Sequence, residues 1–306
     1  MALSWSTEQR NPDTMAIDTL PSTGIVEAVI GAELHTAAAV AAVQGRIAQA
    51  VDLAVAAISA GGRVHYVGAG TSGRLGVLDA VELYPTYRAG PETVVAHLAG
   101  GAEAMMQAVE GAEDDAEAGA ALVEQAGEHD LFVGIAASGR TPFVRGALEA
   151  ARARGLRTVL ISNNPAAPIA EVADVAILPD TGPEVVTGST RMKAATAQKL
   201  VLNTFSTATM IRLGRTYENL MINVVATNAK LERRMVQLVV QAAGVEEDHA
   251  AALLAEAQGD LRVAVIAALA NAEVERAVGA AVAHQPDPGR EGDPSGIRSA
   301  VAMLTR

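Results

Sequence analysis

Gly68-Ala69-Gly70-Thr71-Ser72-Gly73-Arg74 sets three glycines and two hydroxyls between a strand-like run and a helical one. Glycines let backbone N–H groups approach a ligand, and Thr71 and Ser72 add hydroxyl donors. The helix that follows supplies its positive end, so Gly70, Thr71 and Ser72 are suited to holding phosphate. The spacing also satisfies GxGxxG, but no acidic residue closes a second strand about 20 residues on, as a dinucleotide site expects. A tight strand-to-helix turn without ligand is the plain alternative. Ser138-Gly139-Arg140-Thr141 repeats the hydroxyl-plus-glycine theme after another apolar run. All four are candidate phosphate ligands, and an ordinary serine helix cap is the alternative. Thr187-Gly188-Ser189-Thr190-Arg191-Met192-Lys193 precedes a long helical stretch, with Ser189 and Lys193 as candidate anion ligands. Arg191 and Lys193 read equally well as solvated charges.

Two carboxylates have acid–base potential. Glu82 sits among Val81, Leu83, Tyr84 and Pro85, and apolar surroundings raise a carboxyl pKa toward general-acid use. A surface glutamate at a helix end is the alternative. Glu113 lies in Glu110-Gly111-Ala112-Glu113-Asp114-Asp115, a charge run that otherwise reads as a solvated helix face. No histidine pair has helical metal-ligand spacing, and no G-x-S-x-G elbow occurs. No metal is expected.

These residues need strands and helices to position them. Apolar strand runs fall at 63–67, 94–98, 131–136, 157–162 and 175–178. Helical patterns fall at 23–60, 75–83, about 102–126 and 142–154. Such alternation predicts an α/β fold, a doubly wound, mostly parallel sheet with helices on both faces. Ligands of such sheets bind outside the carboxyl ends of the strands, the edge reached by the Gly68 and Ser138 turns. From 194 to 243 the pattern is helical with one break near Gly214. Residues 244–306 predict two or three short helices and a flexible Pro/Gly loop over 285–296. The expected division is an N-terminal arm with helices (1–60), a phosphate-binding α/β domain (61–243) and a small helical domain (244–306).

Composition narrows the partners. A net charge of -12 over 306 residues disfavours nucleic acid, whose binding runs through phosphate neutralisation. The absence of cysteine removes disulfides and thiolate chemistry and fits a cytoplasmic setting. Residues 1–10 lack a signal pattern. The apolar stretch 37–60 is broken by Gln44, Arg46, Gln49 and Asp52, so no membrane association is expected.

Taken together, the segment from Tyr66 to Ala80 resembles the signature of the N-acetylmuramic acid 6-phosphate etherases. These are sugar isomerase (SIS) domain proteins related to the glucokinase regulatory protein. Thr7-Glu8-Gln9-Arg10-Asn11-Pro12, Val109–Asp115 and Thr187–Lys199 agree in the same order, so the resemblance covers nearly the whole chain. It implies that Glu82 and Glu113 are a catalytic acid–base pair, with Glu82 the proton donor and Glu113 the base. It implies cleavage of a D-lactyl ether to N-acetylglucosamine 6-phosphate and D-lactate, without cofactor, by a homodimer with active sites near the subunit interface. Two departures stand out. Leu83-Tyr84-Pro85-Thr86-Tyr87-Arg88 replaces the usual Cys-Pro-Pro-Thr-Phe-Gly, and Ala195 stands where glycine is common. Two rival readings share the fold. One is an aldose–ketose isomerase with Glu184 as base. The other is a non-catalytic sugar-phosphate sensor, against which the two glutamates together argue.

Overall fold

The computed structural model describes residues 6–224 and 229–306. Residues 1–5 of the N-terminal arm and 225–228 of the expected helical stretch lie outside the described residues. The chain divides into two compact units, one of residues up to Val81 with Pro91–Ser206, the other of Glu82–Gly90 with Thr207–Arg306.

The first unit opens with α1 (Ser22–Glu33), α2 (Thr36–Ala42) and α3 (Gln44–Ser59). Then follow β1 (Val64–Gly68), α4 (Gly70–Tyr87), β2 (Val94–Leu98), α5 (Ala116–Ala121) and β3 (Leu131–Ile135). The unit continues through α6 (Pro142–Ala153), β4 (Arg157–Ile161), β5 (Val175–Ile177) and, up to Ser206, α7 (Lys193–Arg212). The five strands form one sheet in the order β2-β1-β3-β4-β5. Every pairing is parallel, with Gly68 opposite Leu98 on one side and Ile135 on the other. β1 and β3 are buried along their whole length, which explains their unbroken apolar runs: parallel strands are covered on both faces. Val67, Phe132, Val144, Ala147 and Leu148 belong to the core on one face.

In the second unit β6 (Thr216–Tyr217) and β7 (Leu220–Met221) make a small hairpin. The helices α8 (Ala229–Ala243), α9 (Glu247–Glu256), α10 (Leu261–Ala270), α11 (Val274–Ala283) and α12 (Ile297–Leu304) follow. They share a core in which α10 is central, with Val263, Ala264, Val265, Ile266 and Ala267 all buried.

All five expected strands form. The helical expectations need four corrections. The 23–60 stretch is three helices, broken at Leu34–His35 and Val43. The 102–126 stretch is no single helix: short 3-10 turns surround Gly111, which adopts φ 75° and ends any helical run there, and only α5 is α-helical. The hairpin replaces helix after Gly214, and 244–306 carries four helices. Its Pro/Gly loop is tied down. Asp287 N–H donates to Pro294 O at 2.8 Å, and Asp293 accepts from Ser299 N–H at 2.8 Å.

By length and composition Ser22–Ala42 suffices to cross a membrane, but it forms two helices. α1 buries none of its side chains, and leaves Val26, Ile30 and Leu34 exposed along one side.

Candidate active site

The sheet order reverses between β1 and β3, and such a switch point is where doubly wound sheets bind ligands. At the end of β1 only Ala69 separates the strand from α4, so Thr71 and Ser72 belong to the first turn of the helix rather than to a loop. A Cβ on Gly73 would lie 2.5 Å from Gly68 O, so glycine there permits the tight join of strand and helix. Gly70 is exposed with φ 54°, and the N–H groups of this first turn have no partners inside the helix.

A cavity of about 230 Å³ opens beside this helix start. Gly70 and Arg74 line it from α4, Ala99 from the end of β2, and Val109, Glu110 and Glu113 from the glycine-rich stretch beyond. Arg74 Nε donates to Ala104 O at 3.0 Å and Met105 O at 3.3 Å, pinning that stretch to the helix. Glu113 is exposed, on a 3-10 turn (Ala112–Asp114), not on the helix face that its charge run suggested. The turn at Gly70 and Glu113, far apart in sequence, thus meet at one cavity.

Glu82 lies on α4, three turns beyond Gly70, and belongs to the second unit. It is exposed, so the apolar surroundings expected for it do not form within one chain.

The Ser138 turn joins β3 to α6. Gly139 has φ 67°, and Arg140 N–H donates to Ser138 Oγ at 3.3 Å. Thr141, not Ser138, occupies the cap of α6, and makes no side-chain cap bond. Buried polar groups behind the turn hold it: Asn164 Nδ2 donates to Ser138 O at 2.9 Å, and Ser162 Oγ to Ala137 O at 3.1 Å. Asn163, fully buried, accepts from Gln198 Nε2 at 3.0 Å. The apolar flanks of these amides in sequence gave no sign of this network.

The Thr187 segment is tethered by the N-terminal arm, where Thr14 Oγ1 donates to Val185 O at 2.9 Å. Ser189 is half-buried and Arg191 exposed. Lys193 is buried and donates from Nζ to Thr181 O at 2.7 Å. Glu184 is fully buried, and its two oxygens accept from Lys193 N–H and Ala194 N–H, each at 3.0 Å. Burial raises its pKa, opposed by those two N–H groups. Neither the Ser138 nor the Thr187 segment lines the cavity beside Gly70.

Two buried networks escaped the sequence reading. Asp79 accepts from Tyr66 Oη at 3.0 Å and Ser206 Oγ at 3.2 Å, joining α4 to β1 and α7. Burial, followed by the Asp79 charge, pushes the Tyr66 hydroxyl pKa well up. In the sheet, His65 bridges His97 (2.9 Å from Nδ1) and Asp130 (2.8 Å from Nε2). Burial lowers His97 to about 4 and also lowers His65, against the opposing pull of Asp130. Among the described residues no cluster of side chains is suited to a metal ion.

The chain is similar to known proteins over most of its length. Residues 46–152 match the glucokinase regulatory protein N-terminal SIS domain and residues 104–208 the SIS domain. Among solved structures, a phosphoheptose isomerase from Francisella tularensis is 20% identical, with a TM-score of 0.48 over 64% of this chain and 99% of its own. N-acetylmuramic acid 6-phosphate etherase 2 of Vibrio cholerae is 52% identical over 88% of this chain and 89% of its own length. The N-acetylmuramic acid 6-phosphate etherase of Thermobifida fusca is 51% identical over 86% of each. With identity this high over nearly the full length of both relatives, the chain belongs to the N-acetylmuramic acid 6-phosphate etherase family.

Proposed function

We propose that this protein is a carbon–oxygen lyase that cleaves the D-lactyl ether of N-acetylmuramate 6-phosphate, giving N-acetylglucosamine 6-phosphate and D-lactate. The observation that carries this reading is the single cavity shared by Gly70 at the start of α4 and Glu113. The 6-phosphate binds at the helix start, on Gly70, Thr71 and Ser72, with Ser138, Gly139, Arg140, Thr141, Ser189 and Lys193 completing the site's edge. Phosphate binding energy positions the reacting end of the sugar.

In the open-chain sugar the C2 proton is acidified by the C1 aldehyde. Glu113 removes it, the electron pair forms the C2=C3 double bond, and the C3–O bond breaks. Glu82 protonates the departing lactate oxygen. Water then adds at C3 and C2 regains a proton from solvent. Each positioned acid or base contributes roughly 10²–10⁴ in rate.

The two carboxylates come from different subunits in this reading. Glu82 is exposed within one chain and does not line the cavity that holds Gly70 and Glu113. A second copy that covers this exposed side would bring its Glu82 to a substrate anchored at Gly70. Exposed Leu78 and Val81 beside Glu82, and the apolar side of α1, supply surface for a homodimer to bury.

Glu184 weighs against the isomerase alternative, because both of its oxygens already accept backbone N–H groups. Turnover in deuterated, oxygen-18 water tests the mechanism. Elimination and hydration give deuterium at C2 and oxygen-18 at C3, with none in the lactate hydroxyl. Label in that hydroxyl refutes the mechanism, and binding without turnover favours a sensor.

A further inference from the structure

We infer that Arg74 binds the lactyl carboxylate of the substrate and so sets the enzyme's preference for a lactyl ether over a plain amino-sugar phosphate. The inference rests on the etherase reading above.

Arg74 is the one basic side chain among the described residues that line the cavity, where it faces the same space as Glu110 and Glu113. Its Nε is committed to Ala104 O and Met105 O, while its two Nη groups have no hydrogen bond or ion pair among the described residues. The guanidinium is therefore fixed in place with its outer donors unused. Arg74 follows Gly70 by four residues, so the two share a side of α4, about 6 Å apart along the axis. The phosphate takes the helix start, and the guanidinium lies one turn deeper, tied to the wall that carries Glu113.

The substrate brings two anions to this cavity, the 6-phosphate and the lactyl carboxylate. The carboxylate hangs from C3, next to the C2 from which Glu113 takes its proton. Without a cation it would meet the Glu113 charge in a partly enclosed space, where like charges repel strongly. A guanidinium offers paired, parallel N–H donors that match a carboxylate. Held this way, the lactyl group has a fixed orientation when the C3–O bond breaks. N-acetylglucosamine 6-phosphate lacks the carboxylate and makes no use of Arg74.

Three ligands on two proteins test this. In Arg74→Gln the KM for N-acetylmuramate 6-phosphate should rise at least 10-fold, while the Kd for N-acetylglucosamine 6-phosphate stays within about 2-fold of wild type. The wild type should bind the lactyl methyl ester of the substrate at least 10-fold more weakly than the free acid, and Arg74→Gln should not distinguish them. Equal weakening of both sugar phosphates would place Arg74 on the phosphate and overturn the inference; no weakening of either would make it structural and overturn it too. If Arg74→Gln does not fold, the wild-type comparison of acid with methyl ester decides alone, and equal binding overturns the inference. A wild type that binds N-acetylmuramate 6-phosphate without cleaving it defeats the etherase reading instead, and the binding comparisons still report on Arg74.

Discussion

Glu184 accepts hydrogen bonds from Lys193 N–H and Ala194 N–H, one to each carboxylate oxygen, and thereby closes the start of α7 from nine and ten residues upstream. A helix start leaves N–H groups without internal partners, and here a fully buried side chain supplies them. Glu184→Ala leaves two donors unsatisfied in the interior. At roughly 1–3 kcal/mol for each unsatisfied group, stability should fall by about 2–6 kcal/mol, read from the urea midpoint at constant m. At a temperature where the variant remains folded, kcat should stay within a few-fold of wild type. A loss of activity far beyond the loss of folded protein would return Glu184 to the chemistry.

Glu113 faces the cavity and forms no ion pair among the described residues. Glu113→Gln keeps its shape and removes the carboxylate proposed as base. The expected result is a fall in kcat of roughly 10²–10⁴, with little change in KM and in thermal stability. Deuterium exchange at C2 should fall in parallel, because that exchange needs the same proton abstraction. Exchange at the wild-type rate would remove Glu113 from the base role.

Gly73→Ala probes the join of β1 and α4. The added Cβ would meet Gly68 O at 2.5 Å, and this neighbour is backbone that cannot swing aside. The helix start must shift, so phosphate binding should weaken at least 10-fold and the melting temperature should drop. Ala at Gly45, where nothing lies within 4 Å of the new Cβ, is the control and should change neither.

How much of this was legible follows from what sequence patterns encode. The five strands were readable because buried parallel strands need continuous apolar runs. The tight join of β1 to α4 was readable because only glycine fits where Gly73 meets Gly68. The stretch before Glu113 misled because its alanines and acidic residues favour helix, whereas Gly111 at positive φ ends it. The partners of Asp79 and His65 were hidden because those networks join residues distant in sequence, and those of Glu184 because they are backbone groups. A carboxylate facing backbone N–H looks the same in sequence as one facing water.

The His97–His65–Asp130 chain predicts a pH response. With Asp130 ionised, His65 donates from Nε2, accepts at Nδ1, and so takes the N–H of His97 Nε2. Both histidines are neutral in the fold. Asp130 is itself held low: burial would raise it, but Arg63 N–H, Gly127 N–H and His65 outweigh that. His97 is lowered from 6.5 to about 4. A depressed pKa means that the unfolded state takes the proton first, so the stability is present above pH 6.5 and is lost as pH falls toward about 4. The melting temperature of wild type should drop across that window. In His97→Gln, which has no proton to gain there, the drop should be smaller. Parallel curves for the two proteins would show that acid acts elsewhere.

The exposure of Glu82, away from the cavity that Glu113 lines, leads to the most discriminating prediction. If a substrate at one Gly70 meets Glu82 of the partner, each active site combines Glu113 of one subunit with Glu82 of the other. Glu82→Gln and Glu113→Gln homodimers should each be nearly inactive, since both of their sites lack one carboxylate. In a mixed dimer one site lacks both carboxylates and the other has both intact. Equal amounts of the two variants, dissociated and reassociated at random, give half mixed dimers with one working site each. Activity should recover to about a quarter of wild type, following the combination of independent sites in a symmetric dimer. If both carboxylates came from the same chain, every site in every dimer would lack one of them and mixing would restore nothing.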